Sequence, residues 1–258
     1  MLLLAILTSA VQAQAPSRRL LTVSLSLATR GDVWRLSPTY VHARGGQRDS
    51  FALARERIPA FALAVGLTRF VTRSLAWTAD VGYVSAPTRA SCDSLGPYSP
   101  DPEQLNYQAC AGVSPHMRGG LLSLSGGLML RPLVGSSMSP YVRASAGPSL
   151  LSGEFIDTHA WVSTSTCGLC LLLLLDEEPN SRVTWSAAAA LGLHVRPEGS
   201  IGLRVEARDM VAWLPTPAAA PNAFDPNLRA PIRKRPRHIF MISVGAEIDL
   251  ERRHQRRY

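Results

Sequence analysis

Residues 181–213, SRVTWSAAAALGLHVRPEGSIGLRVEARDMVAW, read as two long strands joined by a tight turn at Pro197-Glu198-Gly199-Ser200. On the first arm Val183, Trp185, Ala187, Ala189, Leu191, Leu193 and Val195 share one face, and Thr184, Ser186, Ala188, Ala190, Gly192 and His194 share the other, because successive strand side chains point to opposite sides. The second arm repeats the scheme, with Ile201, Leu203, Val205 and Ala207 against Gly202, Arg204, Glu206, Arg208 and Met210. Each arm runs about 12 residues, longer than an ordinary globular strand and long enough, when tilted, to cross a bilayer. The stretch predicts a membrane-type β-hairpin.

The same alternation recurs outward from this hairpin. It sets Leu21, Val23, Leu25 and Leu27 against Thr22, Ser24, Ser26 and Ala28, and Phe61, Leu63, Val65 and Leu67 against Ala62, Ala64, Gly66 and Thr68. Leu75, Trp77, Ala79, Val81 and Tyr83 oppose Ala76, Thr78, Asp80 and Gly82. Further strands are expected over Gly119 to Arg131, Tyr141 to Leu150 and His238 to Leu250. The polar stretch from Arg30 to Ile58 holds Trp34, Leu36, Tyr40 and Val41, which could extend the wall or form an extra hairpin above it. Links between strands alternate long and short, the pattern of an up-and-down membrane barrel with long external loops and short periplasmic turns. The fold expected is all-β: an eight-stranded antiparallel transmembrane β-barrel, one domain over residues 14–258, with both ends on the periplasmic side.

Composition narrows the classes. The formal charge is +8, and Lys234 is the sole lysine. The arginines are spread over strand ends, loops and one strand face, with no basic helix and no aromatic-studded motif, which argues against nucleic acid as the partner. The N-terminus is apolar from Leu2 to Val11 and ends on Val11-Gln12-Ala13, a small-residue cleavage pattern that marks residues 1–13 as a signal peptide.

Alternation alone does not distinguish a membrane barrel from a soluble one, whose apolar face turns inward. Glycines decide it. Gly66, Gly82, Gly127, Gly147, Gly192, Gly202 and Gly245 all fall on the polar face. A solvated surface has no need of glycine, which weakens strands, whereas the crowded interior of a narrow barrel needs small residues. The polar face is therefore inside. Phe61, Tyr83, Trp185, Trp213 and Phe240 near the long loops, with Trp77 and Tyr141 near the short turns, read as two interfacial belts.

The run Arg204-Val-Glu206-Ala-Arg208 puts three charges on the inner face at i+2 spacing. Charges inside a narrow barrel must pair. The expected lumen network is Asp80, Arg143, Arg204, Glu206, Arg208, Glu247 and Asp249, acting as a structural plug. A second group, Arg229, Arg233, Lys234, Arg235 and Arg237, precedes the final strand and reads as a basic rim near anionic headgroups or lipopolysaccharide phosphates.

RVEARDMV, a long loop and then RHIFMISVGAEIDL resemble the last two strands of small bacterial outer-membrane β-barrels of the OmpA-like and OmpW-like kind. The resemblance departs at the end, where the chain continues as ERRHQRRY and reaches its terminal aromatic only at Tyr258. It implies the bacterial outer membrane as the location, with outer-membrane lipid, lipopolysaccharide and the barrel-assembly machinery as partners.

All four cysteines fall in expected outer loops, which suits passage through an oxidising compartment. Cys92 with Cys110 forms one candidate disulfide, and Cys167 with Cys170 a local one. The CxxC spacing lacks a second pair or a histidine pair to complete a metal site, so no metal or cofactor is expected. His42, His116, His159 and His238 are scattered, with none beside a serine at i+2. A non-enzymatic structural or surface-binding role through the external loops follows. The alternatives are a lipid-modifying enzyme at the rim and a narrow conduit for small solutes.

Overall fold

A computed structural model describes residues 19–36, 39–42, 48–94, 108, 110–114, 116–133, 138–153, 155–163, 168–175, 182–195, 201–217 and 232–250. The expected leader, residues 1–13, lies outside them. In chain order, strand β1 spans Arg19–Ala28, followed by β2 (Gly31–Arg35), β3 (Thr39–His42) and β4 (Arg48–Arg57). Next come β5 (Ala60–Phe70), β6 (Leu75–Ser85), β7 (Thr88–Ser94), β8 (His116–Met117), β9 (Gly119–Leu130) and β10 (Met138–Gly153). The last five are β11 (Thr158–Val162), β12 (Cys170–Leu175), β13 (Val183–Val195), β14 (Ile201–Pro217) and β15 (Ile232–Asp249).

Eight of these close into a barrel in the order β1-β15-β14-β13-β10-β9-β6-β5. Every pairing is antiparallel, and β5 returns to β1. The period-2 pattern makes this closure productive, because each strand has one face to bury and one to turn outward. In β5, Ala62, Gly66 and Thr68 are buried while Phe61, Leu63, Val65 and Leu67 are exposed. In β10, buried Tyr141, Arg143, Ser145 and Ser149 alternate with exposed Val142, Ala144, Ala146 and Leu150. Strand β10 starts at Met138 and runs through Pro140 and Pro148, where the sequence predicts a turn and a shorter strand. Its ladder to β13 is continuous, whereas its ladder to β9 is interrupted at Gly147 and Pro148, where proline brings no N–H.

The described residues of the expected link 30–58 are folded. Its strands β2, β3 and β4 join β7 and β8 in a separate five-stranded sheet at the long-loop end, a crown above the barrel. Hairpin β11–β12 stands beside it, bridged to Val113 through Ala160. A disulfide between Cys92 of β7 and Cys110, with Cα atoms 5.1 Å apart, closes a loop whose cross-link stabilises by about 3 kcal/mol on the chain-entropy account. Cys170 is also disulfide-bonded, and its expected partner Cys167 lies outside the described residues.

The crown is seated by apolar packing. Val33, Trp34, Leu36, Leu53, Phe155, Ile156 and Leu175 form one cluster with the inward-facing Ala62, Val84, Leu121, Leu151, Met210, Ile239 and Met241 of the barrel's upper end. Burying each large side chain contributes about 1.5–3 kcal/mol, so this shared core holds the crown on the barrel's upper end. Several polar groups within it are paired: the Trp34 indole donates to the Phe155 carbonyl at 2.8 Å. Arg55, fully buried, lies 5.6 Å over the Trp34 ring and donates to Thr158 Oγ1 at 3.1 Å and to the Asp157 carbonyl. Arg57 donates to the Thr29 carbonyl at 2.9 Å and reaches that of His238 at 3.5 Å. Burial pushes its guanidinium below the usual arginine value. At the short-turn end Leu20, Phe70, Ala76, Met129 and Tyr141 form a second apolar cluster.

Candidate functional site

Between the two apolar ends the lumen is charged. Glu206 of β14 is the hub, accepting hydrogen bonds from Tyr141 Oη at 2.7 Å, from Arg143 Nη2 at 2.8 Å and from Arg204 Nη2. Arg143 of β10 also donates to Asp80 of β6 at 2.6 Å. Arg204 donates through Nε to Tyr141 Oη at 2.6 Å, covers the Tyr141 ring at 4.9 Å, and lies 3.7 Å from Glu247 of β15. Glu247 in turn lies 3.0 Å from Nδ1 of His194 on β13. Five strands thus contribute to one connected network, and all its members are buried. Asp80, Glu206 and Glu247 are matched in charge by Arg143, Arg204 and the neighbouring Arg208.

Glycines make room for these side chains. Gly192 stands opposite both Tyr141 and Glu206 in the register, and a Cβ there would sit 2.2 Å from the Tyr141 ring. A Cβ on Gly66 would meet Asp80 Oδ1 at 2.3 Å, and one on Gly202 would meet His194 Nε2 at 2.8 Å. Real Cβ contacts are not so short, so each large polar group occupies the space that a neighbouring glycine leaves. Among the described residues a lumen cavity lined by Ser24, Ser26, Arg143, Arg204, Arg208 and Ser243, among others, has a volume of about 20 Å³. That is room for about one water molecule.

Of the residues expected in the network, Asp80, Arg143, Arg204, Glu206 and Glu247 are joined directly. Arg208 lines the cavity but makes no hydrogen bond or ion pair among the described residues. Asp249 is half-buried at the short-turn end, paired in register with Leu20. Two members were missed. Tyr141 belongs to the lumen and not to the lower aromatic belt, since it is 3% exposed and hydrogen-bonded to Glu206. Its parity with Arg143 is the signal that places it. His194 shares the inner face with Gly192, and its partnership with Glu247 arises only from the register of β13, β14 and β15.

The basic rim divides. Along β15, Arg233, Arg235 and Arg237 share the face of buried Ile239 and Met241, whereas Lys234 and His238 share the outward face with Phe240. Lys234 Nζ donates to the Val183 carbonyl at 2.6 Å. Arg229 lies outside the described residues. His116 is exposed, His159 half-buried, and His238 Nδ1 lies 2.8 Å from Asp209 Oδ2 on the outward face. The side chain of His42 is not described. No cluster of three or more metal-ligating side chains occurs among the described residues.

The outside of the barrel is apolar. Leu124 is 57% exposed and Leu191 65%, and the described outward positions carry no charge between Arg19 and Arg69 at one end and Asp209 and His238 at the other. Phe61, Tyr83, Trp185, Trp213 and Phe240 ring the upper margin, and Trp77 lies near the lower one. An apolar surface on this scale far exceeds any patch a soluble monomer exposes. Together with a polar interior and a closed edge, it defines a transmembrane β-barrel of the outer-membrane architecture.

No protein-family model matches the chain, and no curated protein matches its sequence. Among solved structures it is similar to the outer membrane protein OprG from Pseudomonas aeruginosa, at 10% identity and a TM-score of 0.47 over 90% of this chain and 96% of that one. Neisserial surface protein A aligns at 10% identity and 0.43, over 89% and 96%. The outer membrane protein AlkL aligns at 15% and 0.38, over 92% and 93%. The membrane assignment rests on the barrel's own surface.

Proposed function

We propose that the chain is a bacterial outer-membrane barrel closed to solutes, with its crown on the external side, and that it acts through that crown as a structural or surface-binding protein. The observation that carries this reading is the Glu206-centred network, which joins five strands across the lumen between two apolar clusters and leaves a cavity of about 20 Å³. A folded, disulfide-tied crown above a plugged lumen offers surface for recognition and no path for transport. Outer-membrane lipid and lipopolysaccharide surround the band, and the barrel-assembly machinery inserts it. Contact with headgroups falls to Lys234 and the aromatic belt.

Planar-bilayer recording tests the closed lumen. Purified protein is expected to give a flat baseline, because an ion passing the network must displace paired buried charges. Resolved unitary steps from the unmodified protein would instead establish the narrow-conduit reading. The rim-enzyme reading finds one supporting observation, the His238–Asp209 contact at 2.8 Å, which could orient an imidazole base. Among the described residues no hydroxyl or thiol hydrogen-bonds His238, so we propose no reaction there.

A further inference from the structure

Strands β14 and β15 pair from Asp209↔Phe240 up to Pro217↔Ile232 without a register shift, through and beyond the belt residue Trp213, which stands opposite Pro236. Over this extension Ala212, Leu214 and Thr216 are buried, and their cross-strand partners on the same face are Arg237, Arg235 and Arg233. The three arginines therefore form a row, about 6.8 Å apart, on that face of β15. Arg233 and Arg235 are exposed and Arg237 is half-buried. None makes a hydrogen bond or ion pair among the described residues, and Arg237 Nε is buried without a partner.

Two explanations compete with ligand binding. The row could guard a free sheet edge, since β1 leaves β15 at Ala28↔Met241 and beyond it the backbone of Thr29 donates to the Phe240 carbonyl at 2.9 Å. Charges and proline commonly protect such edges. Here the edge is already blocked: carbonyls of Phe240 and His238 point to it, His238 O is contacted by Arg57, and the same alternation puts the donor-less nitrogen of Pro236 on it. The missing donor at Pro236 and the engaged carbonyls disfavour addition of a peptide strand there, and with it an acidic polypeptide bound in that mode. The second explanation is lipid contact, but lipid-facing parity belongs to Lys234, His238 and Phe240, on the opposite face.

We infer that the Arg233–Arg235–Arg237 row is a binding surface for a soluble acidic polysaccharide arriving from the aqueous side. Each guanidinium presents a planar fork to an oxyanion, and a chain carrying sulfates or carboxylates at short regular intervals can engage all three at once. Biologically this rests on the crown facing outward, as proposed above, whereas binding by purified protein does not.

The test uses the full chain in detergent micelles with a heparin oligosaccharide as probe. The variant R233Q/R235Q/R237Q should bind about tenfold more weakly at low salt, the combined effect of two exposed ion pairs and one half-buried one, and the difference should shrink at high salt. K234Q, on the opposite face, should bind like the unmodified protein, and R233K/R235K/R237K, which keeps the charge but not the planar fork, should bind between the unmodified protein and the glutamine variant and show that the strand extension tolerates substitution. Unchanged heparin binding by the glutamine variant would reduce the row to edge protection. A larger loss for lipopolysaccharide vesicles than for heparin would make the partner a lipid-borne phosphate, and equally tight binding of polyglutamate would overturn the choice of a glycan. Crown orientation is read separately on intact cells by a membrane-impermeant amine reagent. Lys234 is the sole lysine, and labelling absent from K234R identifies it.

Discussion

Glu206→Ala is expected to cost the barrel about 3 kcal/mol, the lower end of the range for removing one partner of a buried ion network. The substitution strips three donors of their acceptor at once: Tyr141 Oη, Arg143 Nη2 and Arg204 Nη2. Arg143 keeps Asp80 at 2.6 Å and Arg204 keeps Glu247 at 3.7 Å, which holds the cost below the upper end. Glu206→Gln, which retains an acceptor oxygen but not the charge, should lose less. Urea unfolding in detergent or lipid measures both. A loss under about 0.5 kcal/mol for the alanine variant, the range of an ordinary surface change, would mean that Glu206 is not the buried hub.

An equally large effect is expected one position apart on β9. A Cβ on Gly127 would sit 2.0 Å from the Ala144 carbonyl oxygen and 2.7 Å from Ser145 Cα. These are backbone and near-backbone atoms of β10, which cannot swing aside as a flexible side chain would. Gly127→Ala must therefore push two barrel strands apart, at a cost of about 1–3 kcal/mol or more for overpacking. Gly126 faces outward, and its nearest neighbour to an added Cβ is Thr78 O at 3.9 Å. Gly126→Ala should be neutral or slightly stabilising, because glycine weakens a strand interior. Unfolding midpoints of the two variants, compared in the same detergent, check the contrast. Equal behaviour would contradict the assignment of inner and outer faces.

Much of this arrangement was legible in period and residue size. The alternation that puts Leu63 opposite Ala64 names the strands, and the polar-face glycines identify the inside because only a crowded interior needs them. The sequence reading of Tyr141 as a belt residue fails because an aromatic near a short turn satisfies the belt and the lumen equally. Parity with Arg143, and a glycine on the neighbouring strand to receive the ring, are what separate them. The rim illustrates the same point: RKRPR reads as one basic cluster, but strand alternation sends its arginines to one face and its lysine to the other. The crown was least legible. Its strands β2 and β3 are short, β2, β3 and β4 lie in a polar stretch, and they are held by long-range contacts such as Trp34 with Phe155 that no local pattern encodes. Strands β14 and β15 extend to 17 and 18 residues because they leave the bilayer and continue as support for that crown.

The most direct test of the central claim, that this chain spans a membrane as a closed barrel with its apolar face in lipid, is fractionation followed by gel mobility with and without boiling. The expected result is retention in the membrane fraction, release only by detergent, and a mobility shift on boiling as the closed barrel unfolds. A chain that remains soluble without detergent, or that migrates identically before and after boiling, would contradict it.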